Sequence, residues 1–197
     1  ELCERFNLDG LELDFMRFFP FFDLELTGYA QRRQIMHDFI AQVRKILDET
    51  SKKGQRRYLS IRVPNRIEEY KRLGIDLGYI DQQGWVDIIN ISPSYCSQVE
   101  NELKLFRSWA PNTSIFFEMT HCVTRGPCLS WGRPGMGGDG YPVRFTTPQK
   151  YITMANTAWN RDVDGLSLFN VIYTRPGNRP DGQVHGGTYN PGDPPWD

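Results

Sequence analysis

Glu12 and Asp14 stand two residues apart in the segment Asp9-Gly-Leu-Glu-Leu-Asp-Phe-Met-Arg17, and that spacing carries the strongest chemical signal in the chain. In an extended strand alternate side chains share a face, so both carboxylates point one way while Leu11, Leu13 and Phe15 point the other. Two acids on the buried side of a strand are costly unless something pairs or uses them. The pattern predicts a barrel strand whose aliphatic side meets outer helices and whose acids reach an active-site mouth. The alternative is a structural pair held by an arginine, with Arg17 and Arg62 as candidates.

Five segments have the composition to position such residues: 8–15, 58–63 (ended by Pro64), 86–92, 114–120, and 163–173 or a part of it. They are rich in Ile, Val, Phe and Leu and bounded by Gly, Pro or Asn, as buried parallel strands are. Helical segments fall between them. Over 29–53, Met36, Phe39, Ile40, Val43, Ile46 and Leu47 recur on one face, and Gly54 offers a stop. Shorter helices are expected over 66–73, 75–82 and 97–109. Another opens at Thr147-Pro148 with Tyr151, Met154, Ala155 and Ala158 on its apolar face.

Strand–helix alternation implies parallel strands joined by right-handed crossovers, in an open doubly wound sheet or a closed (β/α) barrel. Polar residues inside the strands, at Glu12, Asp14, Arg62, Asn90 and Glu118, favour the barrel. A central strand covered by helices on both faces would not tolerate them so often. Asp9-Gly-Leu-Glu-Leu is echoed by Asp164-Gly-Leu-Ser-Leu in the last strand, as half-barrel repetition would produce. Residues 1–175 therefore read as part of a barrel. Residues 176–197, rich in Pro, Gly and Asn, read as an irregular tail without a final helix.

The bulk numbers bound the function. The 197 residues are 39% hydrophobic and 13% aromatic, enough for one packed domain. Net charge is −1 with both signs interspersed, so no basic stripe suggests nucleic acid, and no apolar run is long enough for a membrane span. Cys3, Cys96, Cys122 and Cys128 show no paired C-x-x-C spacing. Cys122 and Cys128 could bridge within one loop or stay as free thiols. The compartment stays open.

With the strands in place, the chain resembles the C-terminal five-eighths of a glycoside-hydrolase-like (β/α)8 barrel, closest to the family-ten-like group of glycosyl hydrolases. The resemblance is carried by Leu8-Asp-Gly-Leu-Glu-Leu-Asp-Phe-Met-Arg17, Ser60-Ile-Arg-Val-Pro64, Gly74-Ile-Asp-Leu77, Gly84-Trp-Val-Asp-Ile-Ile-Asn90 and Asp164-Gly-Leu-Ser-Leu-Phe-Asn170. It covers about residues 5–175. It implies that these strands are the fourth to eighth of the barrel, with three more upstream, and that the fragment by itself expresses poorly or aggregates.

The same resemblance implies cleavage of O-glycosidic bonds in a poly- or oligosaccharide by a carboxylate pair, without a cofactor or metal. Asp14 would be the general acid, Glu118 of Phe116-Phe-Glu-Met-Thr-His121 the nucleophile or base, and Glu12 would lie one layer deeper. Phe117 and Met119 would then face the helices. Arg17, Arg62 and Asn90 would hydrogen-bond hydroxyls, a carboxylate or a sulfate. Phe18, Phe19, Phe21, Phe22, Tyr95, Trp131 and Tyr173 follow strand ends, where each could stack on a sugar ring or simply pack its loop. His121 would tune Glu118 or cap the loop. An extracellular or periplasmic setting would suit such an enzyme.

Two departures set limits on this carry-over. The Asn-Glu pair of family ten is replaced by Leu13-Asp14, and in the chitinase-type acidic pattern Glu12 replaces an acid and Met16 takes the place of the catalytic glutamate. A second reading is therefore a carbohydrate-binding barrel without catalysis. A metal-dependent hydrolase fits less well, since His37, His121 and His185 form no H-x-H on a strand, and no lysine stands at a strand end for Schiff-base chemistry. The glycine-rich stretch 122–145 has the length of a lid or binding loop. Its Gly135-Met-Gly-Gly-Asp-Gly140 lacks the strand and helix of a dinucleotide site. A separation of about 5–5.5 Å between the two acids would fit a retaining mechanism and about 6.5–9.5 Å an inverting one. Capture of either acid by a buried arginine would favour the binding barrel or another pair.

Overall fold

A computed structural model of the chain describes residues 1–16, 20–52, 55–93, 103–124, 143–169, 183–184 and 187–188. Strands β1 (Gly10–Asp14), β2 (Tyr58–Pro64), β3 (Ile88–Ser92), β4 (Ser114–Thr120) and β7 (Gly165–Phe169) form one sheet in the order β1-β2-β3-β4-β7, with every neighbouring pair parallel. Helices α1 (Leu2–Arg5), α2 (Tyr29–Glu49), α3 (Glu68–Leu73), α4 (Leu77–Gln83), α5 (Leu103–Trp109) and α6 (Pro148–Trp159) complete the α/β arrangement. Between β4 and α6, β5 (Cys122–Thr124) and β6 (Val143–Phe145) form an antiparallel ribbon. In the expected irregular tail, β8 (Gln183–Val184) pairs with β9 (Gly187–Thr188).

The period-2 pattern divides the sheet into two unlike faces. On one side Leu59, Ile61, Val63, Ile89, Ile91, Ile115 and Phe117 are almost fully buried. They join Met36, Ile40 and Leu47 of α2, Leu73 and Ile80 of the short helices, Phe106 of α5 and Met154 and Ala158 of α6 in one hydrophobic core. Burial of a large aliphatic or aromatic side chain stabilises by about 1.5–3 kcal/mol, so this layer holds the sheet to its helices. The other side carries Glu12, Asp14, Ser60, Arg62, Asn90, Ser92, Glu118 and Ser167. Core packing on one face thereby aims the polar set at the other.

Two sequence expectations change in detail. Helix α2 ends at Glu49 with Thr50 as its cap, and Lys53 and Gly54 lie outside the described residues. Its buried face is also rotated from the expected one: Phe39 and Ile46 are 43% and 45% exposed, while Arg32, His37 and Arg44 are buried. Arginines can occupy the inner face because they reach carbonyls and acids beyond the core. Arg32 donates to the Lys71 carbonyl, and Arg44 to the Arg57 carbonyl and to Asp87. Of the segment expected over 97–109, the described part is helical from Leu103; of that over 163–173, the described strand runs to Phe169.

Candidate functional site

The sheet register brings the predicted acids together. Glu12 pairs with Ser60, Asp14 with Arg62, Arg62 with Asn90, and Glu118 with Ser167. These residues form two tiers on the polar face, the upper one toward the C-terminal strand ends.

Arg62 is the centre of the upper tier. Its Nε donates to Glu118 Oε2 at 2.6 Å and its Nη2 to Oε1 at 2.8 Å, a bidentate fork. Nη1 donates to both Asp14 oxygens at 3.0 and 2.9 Å, and Nη2 also reaches Ser92 Oγ at 3.1 Å. The Ser92 hydroxyl in turn donates to Glu118 Oε1. The flat guanidinium lies over the Phe169 ring, 4.6 Å from its centroid. Burial acts to lower the Arg62 pKa, but the hydrogen bonds and charges of Glu118 and Asp14 outweigh it and raise it, so the guanidinium stays charged. Glu118 and Arg62 are buried, whereas the Asp14 side chain is 46% exposed.

The lower tier is a hydrogen-bond chain across the sheet. Ser60 Oγ donates to Glu12 Oε2 at 2.7 Å, Asn90 Nδ2 reaches the same oxygen at 3.4 Å, and Ser167 Oγ donates to Asn90 Oδ1 at 2.7 Å. Glu12 is exposed and Asn90 buried.

These positions correct part of the sequence reading. Glu12 and Asp14 share a face as expected, but both acids are exposed rather than buried, while Arg62, Asn90, Ser92 and Glu118 on the same face are buried. The structural-pair alternative describes Asp14: Arg62 holds it, together with Glu118. Both Asp14 oxygens accept from Arg62, and one also takes the Met16 amide at 2.8 Å. Phe117 and Met119 face the helices, which leaves Glu118 on the polar side as expected. His121, just beyond β4, is buried with its ring edge-on to Phe169 at 5.9 Å. Burial lowers its pKa to about 4, and a backbone hydrogen bond to Phe169 offsets only part of that effect. It reaches the Glu118 cluster through Phe169 and Arg62.

Among the candidate aromatics, Phe22 packs against the core and Phe21 is 44% exposed beside Phe15. Arg17, Phe18, Phe19, Tyr95, Cys96, Cys128, Trp131 and Tyr173 lie outside the described residues, as does the glycine-rich segment 135–140. Among the described residues no group of three or more His, Cys, Asp or Glu is placed to hold a metal ion, and no helix is long and apolar enough to cross a membrane.

Four members of the network were not singled out as site residues in the sequence: Ser60, Ser92, Ser167 and Phe169. Period-2 extension from Arg62, Asn90 and Glu118, combined with strand pairing, would have found each of them. No protein-family model matches the chain, and comparison with curated proteins gives no match.

Proposed function

We propose that the polar face of the sheet belongs to a (β/α) barrel and binds a carbohydrate at the C-terminal strand ends. The observation that carries this reading is Arg62, whose side chain draws Asp14, Ser92 and Glu118 into one rigid polar cluster beside the Phe169 ring. Fixed acceptors next to aromatic surface suit a ligand with many hydroxyls and flat apolar ring faces. Glu12 and Asp14, the exposed acids, are the ones a sugar would meet first. Binding without cleavage is the leading reading, because Arg62 occupies both candidate catalytic acids.

A second reading, glycoside hydrolysis, is favoured by Glu118 specifically. A buried carboxylate fixed by Arg62 and Ser92 at a strand end is oriented as a nucleophile or base must be. Asp14 would act as the general acid only after release from Arg62.

The test uses the polypeptide as encoded in full, assayed for both binding and hydrolysis on a panel of poly- and oligosaccharides. Binding without product, weakened about tenfold or more by Asp14→Asn, supports the leading reading. Turnover abolished by Glu118→Gln, with the fold retained, establishes hydrolysis. Neither binding nor turnover on any glycan sinks both.

A further inference from the structure

The run Lys52-Lys-Gly-Gln-Arg-Arg57, between α2 and β2, concentrates basic residues that the polar face of the sheet does not use. Arg57 stands directly before β2 and Asp9 directly before β1, so this segment lies at the N-terminal strand ends. The Arg62 cluster occupies the opposite end. A cleft of about 380 Å³ opens beside the run, with Leu8, Asp9, Lys52, Arg56, Arg57 and Tyr58 among its lining. That volume falls within the range of about 300–1,000 Å³ that small-ligand sites span.

Arg57 is the buried member of this lining, at 7% exposure. Its bonds go to neutral oxygens: Nε donates to the Leu8 carbonyl at 3.1 Å, Nη1 to the Thr50 hydroxyl at 2.7 Å and Nη2 to the Cys3 carbonyl at 3.1 Å. They fix the plane of the guanidinium and leave a second N–H on each Nη without an acceptor among the described residues. Among those residues no carboxylate pairs with Arg57 either, and a buried charge without a counter-charge is costly. The other buried arginines are compensated. Arg62 has Asp14 and Glu118, Arg44 has Asp48 and Asp87, and Arg32 caps the last turn of α3 through the Lys71 carbonyl, at the negative end of the helix dipole.

The cleft adds two more cations. The Lys52 ammonium is exposed and has no partner among the described residues, and Arg56 shares Asp87 with Arg44. Asp9 is the acid of the lining, exposed and likewise without a partner among the described residues. Against Lys52, Arg56 and Arg57 it leaves the cleft positive, and a concave positive surface concentrates anions.

We propose that this cleft is a binding site for the oxyanion of a small ligand, a carboxylate or a phosphate group. Arg57 would supply its two remaining N–H groups from a preset plane, and Lys52 and Arg56 would close over the anion from the exposed side. Asp9 would oppose the anion and set an upper limit on its affinity. The proposal does not depend on the carbohydrate reading, which concerns the other end of the strands.

The test titrates the polypeptide as encoded in full with inorganic phosphate and, separately, with succinate. Binding is followed by calorimetry and by the backbone amide shifts of Leu8, Asp9, Gln55 and Tyr58. Saturable binding that moves these amides is expected, and the tighter probe tells which oxyanion the cleft prefers. Lys52→Gln should weaken it by about threefold or more, and Asp9→Asn should tighten it by about twofold. Arg57→Lys keeps the charge but loses the fork, so it should weaken binding as well; should that variant fail to fold, Lys52→Gln and Asp9→Asn still decide. Lys71→Gln removes the same charge away from the cleft and should change nothing. Saturation by neither probe, or equal weakening by Lys71→Gln and Lys52→Gln, overturns the proposal, the latter by showing diffuse attraction to the surface. So does weaker binding in Asp9→Asn.

Discussion

Arg62 decides what the polar face can do. Its donors are divided among Asp14, Ser92 and Glu118, and its ring contact with Phe169 fixes the plane of the fork. Such a cluster is coherent only as a unit, since removing one partner of a buried ion pair leaves the other uncompensated. Arg62→Met should therefore destabilise the protein by about 3–5 kcal/mol, read as a lower urea midpoint. Arg62→Met combined with Glu118→Leu should recover much of that loss, because burying two apolar groups avoids the stranded carboxylate. No recovery in the double variant would mean that Glu118 is satisfied by groups other than Arg62.

At the scale of elements, glycine sets how closely the strands approach at the base of the sheet. A Cβ at Gly165 would stand 2.5 Å from the Phe116 ring, and one at Gly10 would stand 2.5 Å from the Tyr58 carbonyl oxygen. The two glycines occupy matching places in the Asp-Gly-Leu echo, so the echo records a packing requirement at the start of each strand. Gly165→Ala should cost about 1–3 kcal/mol through displacement of Phe116, and Phe116→Leu should relieve part of that cost. Thermal melts of the single and double variants check this; additive losses would rule out the contact. At Gly74 the requirement is conformational as well, because its φ of 72° ends α3 in the left-handed region.

Over the whole molecule, two buried histidines make stability depend on pH in the same direction. His37 of α2 is stacked on Tyr79 of α4 at 4.4 Å, and His121 lies just beyond β4, edge-on to Phe169. Burial lowers the pKa of both, against the opposing charge of Asp76 for His37 and the Phe169 backbone for His121. Above pH 6.5 both are neutral whether folded or unfolded and impose no penalty. Below it the unfolded chain binds protons that the fold resists, so stability falls with pH, and for His121 the loss continues down to about 4. Between pH 6.5 and 5 His121 should account for about 2 kcal/mol. His121→Gln should flatten urea-midpoint stability over that window; an unchanged slope would show that His121 titrates normally in the fold.

The sequence by itself determined the order and parallel sense of the strands, the helices between them and the face on which each strand residue lies. These follow from local periodicity, and one-residue errors would have turned Ile61 or Phe117 toward the polar side. It also singled out Arg62, Asn90, Asp14 and Glu118 as polar intruders in aliphatic strands. What it left open was who pairs with whom, because Arg62 and Glu118 are 56 residues apart and meet only through the register of three strands. Only the tertiary structure placed one guanidinium between both candidate acids. It also brought Ser92 and Phe169 to that cluster and buried the Arg57 guanidinium among neutral oxygens. Pairing across a sheet depends on alignment between distant segments, and no spacing along the chain encodes that alignment.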